Sequence, residues 1–435
     1  MDLQIAPFQA DATPPLGAPL CHGNVVPAQR IVQPLEARGL VLLPRNAAPV
    51  VLCAVDWVGI SNKSFDCWRT DLAEAAGTEP GRVSVHTLHP HDAPGTDLST
   101  EAILAENGLD GDMFDPAAER ATLDRTCASI RTALPKARPV THLSLGKAKV
   151  NAFASNRRLL GPDGTVQFVR YSHCPSAEVR AMDEGVVDPF VRLVGFWHDD
   201  EPTAVLSYYA SHPQSFYGRG AVSPDTVGLA RGLRDAALPS ALHVHFCGAG
   251  GNVAAGKYND GSPSNRFVLA ERLARGMEKA WKEATKLEAA TCEFGWNVLA
   301  VALPLSDRLK AGDDAFETIL TDTGRSTRER LRAARDLAFA RRQRAGHQTD
   351  ISCLQLGPAR ILHMPAELFV EYQLAAQAMR PDDRVCMAAY GDDGATYIGT
   401  TAAYTQGGYE CGPNMAKVSP EVEGVLMDAM RRLLA

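Results

Sequence analysis

Apolar runs of strand character alternate with helical patterns from one end of the 435-residue sequence to the other. Strand patterns fall at Gly39–Leu43, Val50–Asp56, Val83–Leu88, Thr141–Val150, Val166–Tyr171, Val191–Trp197, Thr203–Ser211 and Leu242–Cys247. More follow at Thr291–Leu305, Ile351–Leu356, Ala359–Met364 and Arg384–Ala389. Between them lie helical patterns at Phe65–Ala76, Pro116–Leu134, Gly228–Ala237, Arg266–Lys286, Asp313–Arg344, Glu367–Met379 and Pro420–Leu434. No Pro/Gly/Ser linker, repeat or low-complexity tract interrupts this alternation. Length alone would favour two or three domains. The unbroken alternation predicts instead one large α/β domain over residues 1–435, built on mixed β-sheets flanked by helices.

The densest chemistry sits at Arg82–Gly95, where Val83-Ser84-Val85 leads to His86, His89 and His91. His89 and His91 are two apart, so an extended backbone would point both rings to one side. Neutral imidazole is a common metal ligand, and a strand end entering a loop is a usual place for chemistry. Three other strand ends carry polar groups. His212 follows the Thr203–Ser211 strand, Glu367 follows His363-Met364-Pro365-Ala366 and is expected to open a helix, and Ala395–Glu410 is rich in tyrosine and threonine. Asp56 closes a further strand. Each has an ordinary structural use: satisfied core histidines, a carboxylate in a first helical turn, strand and turn residues.

Charge and cysteine content exclude some classes. A net charge of −7 argues against nucleic acid as the main partner. The exception is Arg325–Arg344, with eight arginines against two acids, which reads as a helix with a solvated face. No signal peptide and no membrane-spanning apolar run is visible. Ten cysteines without CxxC spacing read as reduced thiols of a cytoplasmic protein. Gly248, Gly250, Gly251 and Gly256 fit neither nucleotide-binding glycine pattern. Close approach of backbone to a metal or substrate is their expected use.

Taken in order, these stretches resemble the catalytic domain of the neutral (non-lysosomal) ceramidases, zinc amidases that cleave the N-acyl bond of ceramide. The resemblance begins at QADATPPLGAPL and runs through PLEARGLVL and VVLCAVDWVGIS to QGGYE. The family's HTHSGPG stands here as HPHDAPG, its ATH as ASH with His212, its NRS as Asn156-Arg157-Arg158 and its PGE as PAE with Glu367. Its YVTT and QxYE resemble Tyr397–Thr401 and Tyr409-Glu410. The resemblance implies zinc held by His89, His212, Glu367 and Tyr397, with His91 beside the reaction centre. It also implies that Arg157 and Tyr409 bind and polarise a substrate carbonyl. Such donors suit Zn²⁺ and developing negative oxygen.

Two departures bear on mechanism. The family's GDVSPN loop, whose serine is assigned as nucleophile or as helper of the zinc water, corresponds to GAGGNVAAGKYND, with Ala254 in the serine's place. Asp92 stands where the family has serine; it could act as general base or stiffen its turn. Residues 1–435 are expected to form the catalytic domain alone, without the family's immunoglobulin-like C-terminal domain. The expected activity is a zinc-dependent hydrolase using metal-activated water on an amide or ester of a small polar or sugar-derived substrate. Gly250, Gly251, Asn252, Lys257 and Tyr258 are expected to line its pocket. A zinc-dependent lyase or isomerase, or a non-catalytic metal-binding homologue, stays open as an alternative.

Overall fold

The computed structural model describes residues 1–435. Three sheets form the frame, and each closes on a parallel pair of strands. The first runs in the order Val83–Thr87, Val50–Val55, Glu36–Pro44, Leu3–Asp11, Arg138–Pro139, with its first two strands parallel. The second orders Leu242–Cys247, Glu201–Tyr209, Phe190–His198, His142–Lys149 and Thr285–Glu288, again with a parallel pair at one edge. The third orders Phe294–Val301, Thr349–Leu356, Ala359–His363 and Arg384–Ala388, the last two parallel. The expected mixed α/β architecture is therefore present.

Val50–Val55 is buried at every position, as its unbroken VVLCAV run requires of a strand covered on both faces. Asn62–Ala76 and Pro116–Ala133 pack against this sheet, while Asp225–Ala237 and Asn265–Lys282 pack against the second. The helix at Pro116 starts where Asp115 accepts from Ala117 and Ala118 N–H groups and Pro116 fills the first turn. No helix is long and apolar enough to cross a membrane.

Several boundaries differ from expectation. Asp313–Arg344 is two helices, Asp314–Thr321 and Thr327–Arg344. The second starts afresh at a capping box in which Ser326 and Glu329 satisfy each other's backbone N–H groups. The helix from Asn265 stops at Lys282, and Thr285–Glu288 pairs as an edge strand. Glu367 does not open a helix. It lies with Leu368 in a two-residue strand parallel to Tyr397–Ile398, and the helix begins at Val370. The Glu367 N–H donates to the Thr396 carbonyl, so tertiary pairing overrides the local helical pattern.

The C-terminal ends of the three parallel pairs meet. Thr87 N–H donates to the Tyr390 carbonyl, and Ala389 N–H donates to the Cys247 carbonyl. His86 Nδ1 reaches the Ala389 carbonyl at 2.7 Å. His86 is thus a structural stitch between sheets. Loops leaving carboxyl ends of parallel strands are where α/β folds place ligands, and here three such ends converge on one point.

Candidate metal centre

His89, His212 and Glu367 come one from each sheet's parallel end, and their ligand atoms lie within 4.8 Å of one another. All three are buried, His212 to 1% exposure. His89 has φ +65°, so its backbone is left-handed and not extended. The Pro90 turn, not strand alternation, brings the His89 and His91 rings edge to face at 5.1 Å. Ten non-glycine residues have positive φ, and Cys21, His22, His89, Ala366, Tyr390 and Thr396 among them gather around this centre. Strain held by surrounding structure concentrates at functional sites.

The donor set fits a cation. His89 Nδ1 donates to the Val58 carbonyl and His212 Nδ1 to the Gly250 carbonyl at 2.6 Å. A carbonyl only accepts, so each Nδ1 carries a hydrogen and each Nε2 faces inward. The two Nε2 atoms converge on Glu367 Oε2, at 3.4 Å from His89 and 2.9 Å from His212. Between two imidazole nitrogens and a carboxylate oxygen, either an extra proton or a metal ion must sit. Burial opposes the charge on Glu367, but His89 and His212 outweigh it and hold the carboxyl well below its usual range. The burial of His89 is likewise outweighed by Glu367, which raises that imidazole.

Tyr397 lies beside the trio, paired with Glu367 along the short strands and 6.2 Å from His212 ring to ring. Its hydroxyl accepts from Arg157 Nη1 at 3.3 Å. Burial, then the Glu367 charge, keeps its phenol well above the ordinary range. Arg157 is itself buried and paired through Nε with Glu410 Oε1 at 3.2 Å, while Arg158 Nη1 meets Glu410 Oε2 at 3.2 Å. Glu410 is fully buried and fixes both guanidinium groups. Tyr409 stacks edge-on against Tyr397 at 5.9 Å and is 41% exposed. His91 accepts from Gln214 Nε2 and stands 3.6 Å from Cys21 Sγ. Burial, and then the charges of His89 and His212, push its imidazole well below the usual range.

The structure does not bring every expected residue to this centre. Asp92 Oδ1 accepts from Gly218 N–H at 2.8 Å and faces Arg266 and Asp225, so its carboxylate braces the loop after His212. Gly250 and Gly251 supply backbone: a Cβ at Gly251 would lie 2.2 Å from the Glu367 carbonyl oxygen. Asn252 is spent on Val370 N–H and on Glu371. Lys257 Nζ donates to the carbonyls of Arg180 and Met182, and the Tyr258 hydroxyl donates to Glu184. The expected pocket loop therefore positions the centre instead of lining a cavity. Asp56 is also structural, bound by Arg231 through both oxygens at 2.7 Å.

A cavity of about 330 Å³ lies beside the centre, and His91, Tyr217, Tyr409 and Thr396 are among the residues that line it. Cys21, Gln214, Tyr217 and Tyr390 were not anticipated. Tyr390 sits 4.8 Å from the His89 ring and follows a strand end, as His212 does; the same positional rule would have found it. Gln214, two residues beyond His212, carried a similar signal.

No family model and no curated protein sequence matches this chain. Among solved structures, the neutral ceramidase of Pseudomonas aeruginosa superposes on 100% of this chain and 74% of its own, with TM-score 0.71 and 16% identity. A ceramidase complexed with C2 covers 100% of this chain and 75% of its own, with TM-score 0.71 and 15% identity. The chain has a neutral-ceramidase-like fold.

Proposed function

We propose that the chain is a zinc-dependent hydrolase of amide or ester bonds, with residues 1–435 forming one catalytic unit. The observation that carries this reading is the buried His89–His212–Glu367 trio, with both imidazole Nε2 atoms oriented by carbonyl partners. The fold likeness to ceramidases supports the choice of reaction class. His89, His212 and Glu367 would hold the ion, with Tyr397 completing the set. Zinc bound by such donors supplies Lewis acidity and lowers the pKa of a bound water toward neutrality.

The remaining work falls to the chain. Arg157, clamped by Glu410, presents a fixed positive charge where a scissile carbonyl develops negative oxygen. Tyr409 can donate its hydroxyl to the same oxygen from the cavity wall. His91, held by Gln214, is the group positioned to take and return a proton. Ala254 provides no hydroxyl, so water is the attacking oxygen. The ten cysteines, all free, fit a reducing, cytoplasmic setting.

Elemental analysis of the wild type, His89→Ala and Glu367→Ala, purified without chelator, tests the reading. The expected result is one zinc per chain in the wild type and loss in both variants. A wild type that stays free of metal after reconstitution would overturn it. Turnover in ¹⁸O-water separates hydrolysis from lyase or isomerase chemistry, because only hydrolysis places labelled oxygen in the product.

A further inference from the structure

The cavity beside the metal centre is basic in a chain of net charge −7. Its walls include Arg328, Arg332, Arg335 and Lys417, and its one acidic lining residue is Asp336. Asp336 is already engaged: Arg308 Nη1 donates to it at 2.6 Å, and Lys417 Nζ stands 3.8 Å away. The three arginines are spaced i, i+4, i+7 on the helix Thr327–Arg344, which places them on one face.

What distinguishes them is their lack of acidic partners. Elsewhere on this arginine-rich stretch, Arg325 pairs with Glu329, Arg341 and Arg344 with Asp313, and Arg342 with Asp66. Arg330 donates to the carbonyls of Leu320 and Asn107, and Arg332 to that of Asn414. Arg328 and Arg335 have no carboxylate within ion-pairing distance, although both line the cavity. The stretch expected to be a solvated face is thus divided. Most of its arginines tie the helix down, and of the three facing the cavity Arg328 and Arg335 are left free to bind.

Local stability does not explain this arrangement. Arg328 lies in the first helical turn, where the helix dipole disfavours a cation. Arg335 is half-buried, and its charge acts on Cys21 and His22, opposing the burial that pushes the Cys21 thiol up to about 12. Cys21 in turn touches His91. Arg335, Cys21 and His91 thus line one cavity, with the arginine charge on the same wall system as the proton-handling side of the metal centre.

We propose that the substrate carries an oxyanion, seated by Arg328 and Arg335, while its amide or ester bond reaches past His91 and Tyr409. This rests on the hydrolase reading above. It replaces the sugar-like substrate inferred from the Gly250–Asp260 loop, whose side chains do not line the cavity. Arginine suits the role because its planar fork meets carboxylate, sulfate or phosphate through two parallel N–H donors.

Three size-matched probes test the proposal: N-hexanoylglycine, N-hexanoylglycinamide and N-hexanoyl-aminomethylphosphonate. Each is offered to zinc-reconstituted wild type, Arg328→Gln and Arg335→Gln, with binding followed by calorimetry on these and on Glu367→Gln. The two oxyanion probes are expected to bind and turn over roughly tenfold or more better than the amide. Either arginine substitution should narrow that ratio toward one. The order of carboxylate and phosphonate then identifies the preferred oxyanion. Equal use of acid and amide, or no binding of either, overturns the anion seat. Turnover without charge preference would sink only this proposal. Acid bound by wild type and by Glu367→Gln, yet never cleaved, would sink the hydrolase reading and leave the seat standing.

Discussion

Glu410 joins two guanidinium groups beside the candidate metal centre through one buried carboxylate. Without any solvent exposure it balances both Arg157 and Arg158. Removing one partner of a buried ion pair strands the other charge, at a cost of about 3–5 kcal/mol. Glu410→Ala should therefore lower unfolding stability by about that much in urea titration. Arg157→Ala should cost less, because Arg158 still neutralises Glu410, while on the proposed hydrolase reading amide turnover falls by roughly a hundredfold or more. Equal destabilisation by the two variants would contradict this division of roles. Gly251 acts through space alone: an alanine Cβ would press on the Glu367 carbonyl at 2.2 Å. Gly251→Ala should displace Glu367, cost about 1–3 kcal/mol and, on the metal-hydrolase reading, lower the bound metal per chain. Unchanged zinc stoichiometry would show that the backbone relaxes elsewhere. At this scale the sequence exposed the histidines and Glu367, whose types and positions after strand ends are unusual. It could not expose Cys21 against His91, because seventy residues separate them and only the folded sheets bring them together.

Among the elements, the contact between Asn62–Ala76 and Pro116–Ala133 contains a buried carboxyl. Glu119 accepts from Ser64, Thr96 and Trp68, yet burial wins and pushes its pKa up to about 7. A raised carboxyl means that the folded state holds a proton that the unfolded chain gives up near its ordinary value of 4.5. Stability then falls as pH rises from the unfolded value toward about 7, and levels off above it. Over that window the loss is on the order of 3 kcal/mol. Glu119→Gln removes the titration, so its stability relative to wild type should improve steadily from acidic toward neutral pH in chemical denaturation. Parallel pH profiles for the two proteins would place the Glu119 pKa near its ordinary value. Element type was readable from the sequence where periodicity was long and caps were strong, as at Asp115 and Pro116. Boundaries failed where tertiary pairing intervened. Glu367 looks like a first-turn carboxylate, but the Thr396 carbonyl captures its N–H and draws it into a strand. Asp313–Arg344 looks continuous because a short turn at Asp322–Gly324 separates two helical patterns of similar composition.

For the molecule as a whole, the candidate metal centre is assembled only if three sheets keep their parallel edges together. Part of that registration is electrostatic. Arg231, on the helix that covers the second sheet, binds Asp56 and Glu36 of the first. Arg38 of the first sheet returns the contact, reaching Asp235 at 2.7 Å and the His243 carbonyl at 3.1 Å. Asp56 is fully buried, so Arg231→Ala leaves an uncompensated carboxylate between two sheets and should cost about 3–5 kcal/mol. Because His89, His212 and Glu367 each come from a different sheet, no single sheet could retain an ion held by the proposed trio once they part. On the proposed zinc reading, release of the ion, followed with a chromophoric chelator, should therefore coincide with the loss of circular dichroism in urea. In Arg231→Ala both transitions should move to lower urea together. Zinc retained beyond the dichroism midpoint would mean that two of the three ligands suffice. The sheets would then be separable units, and the buried ion network would stabilise only the first two.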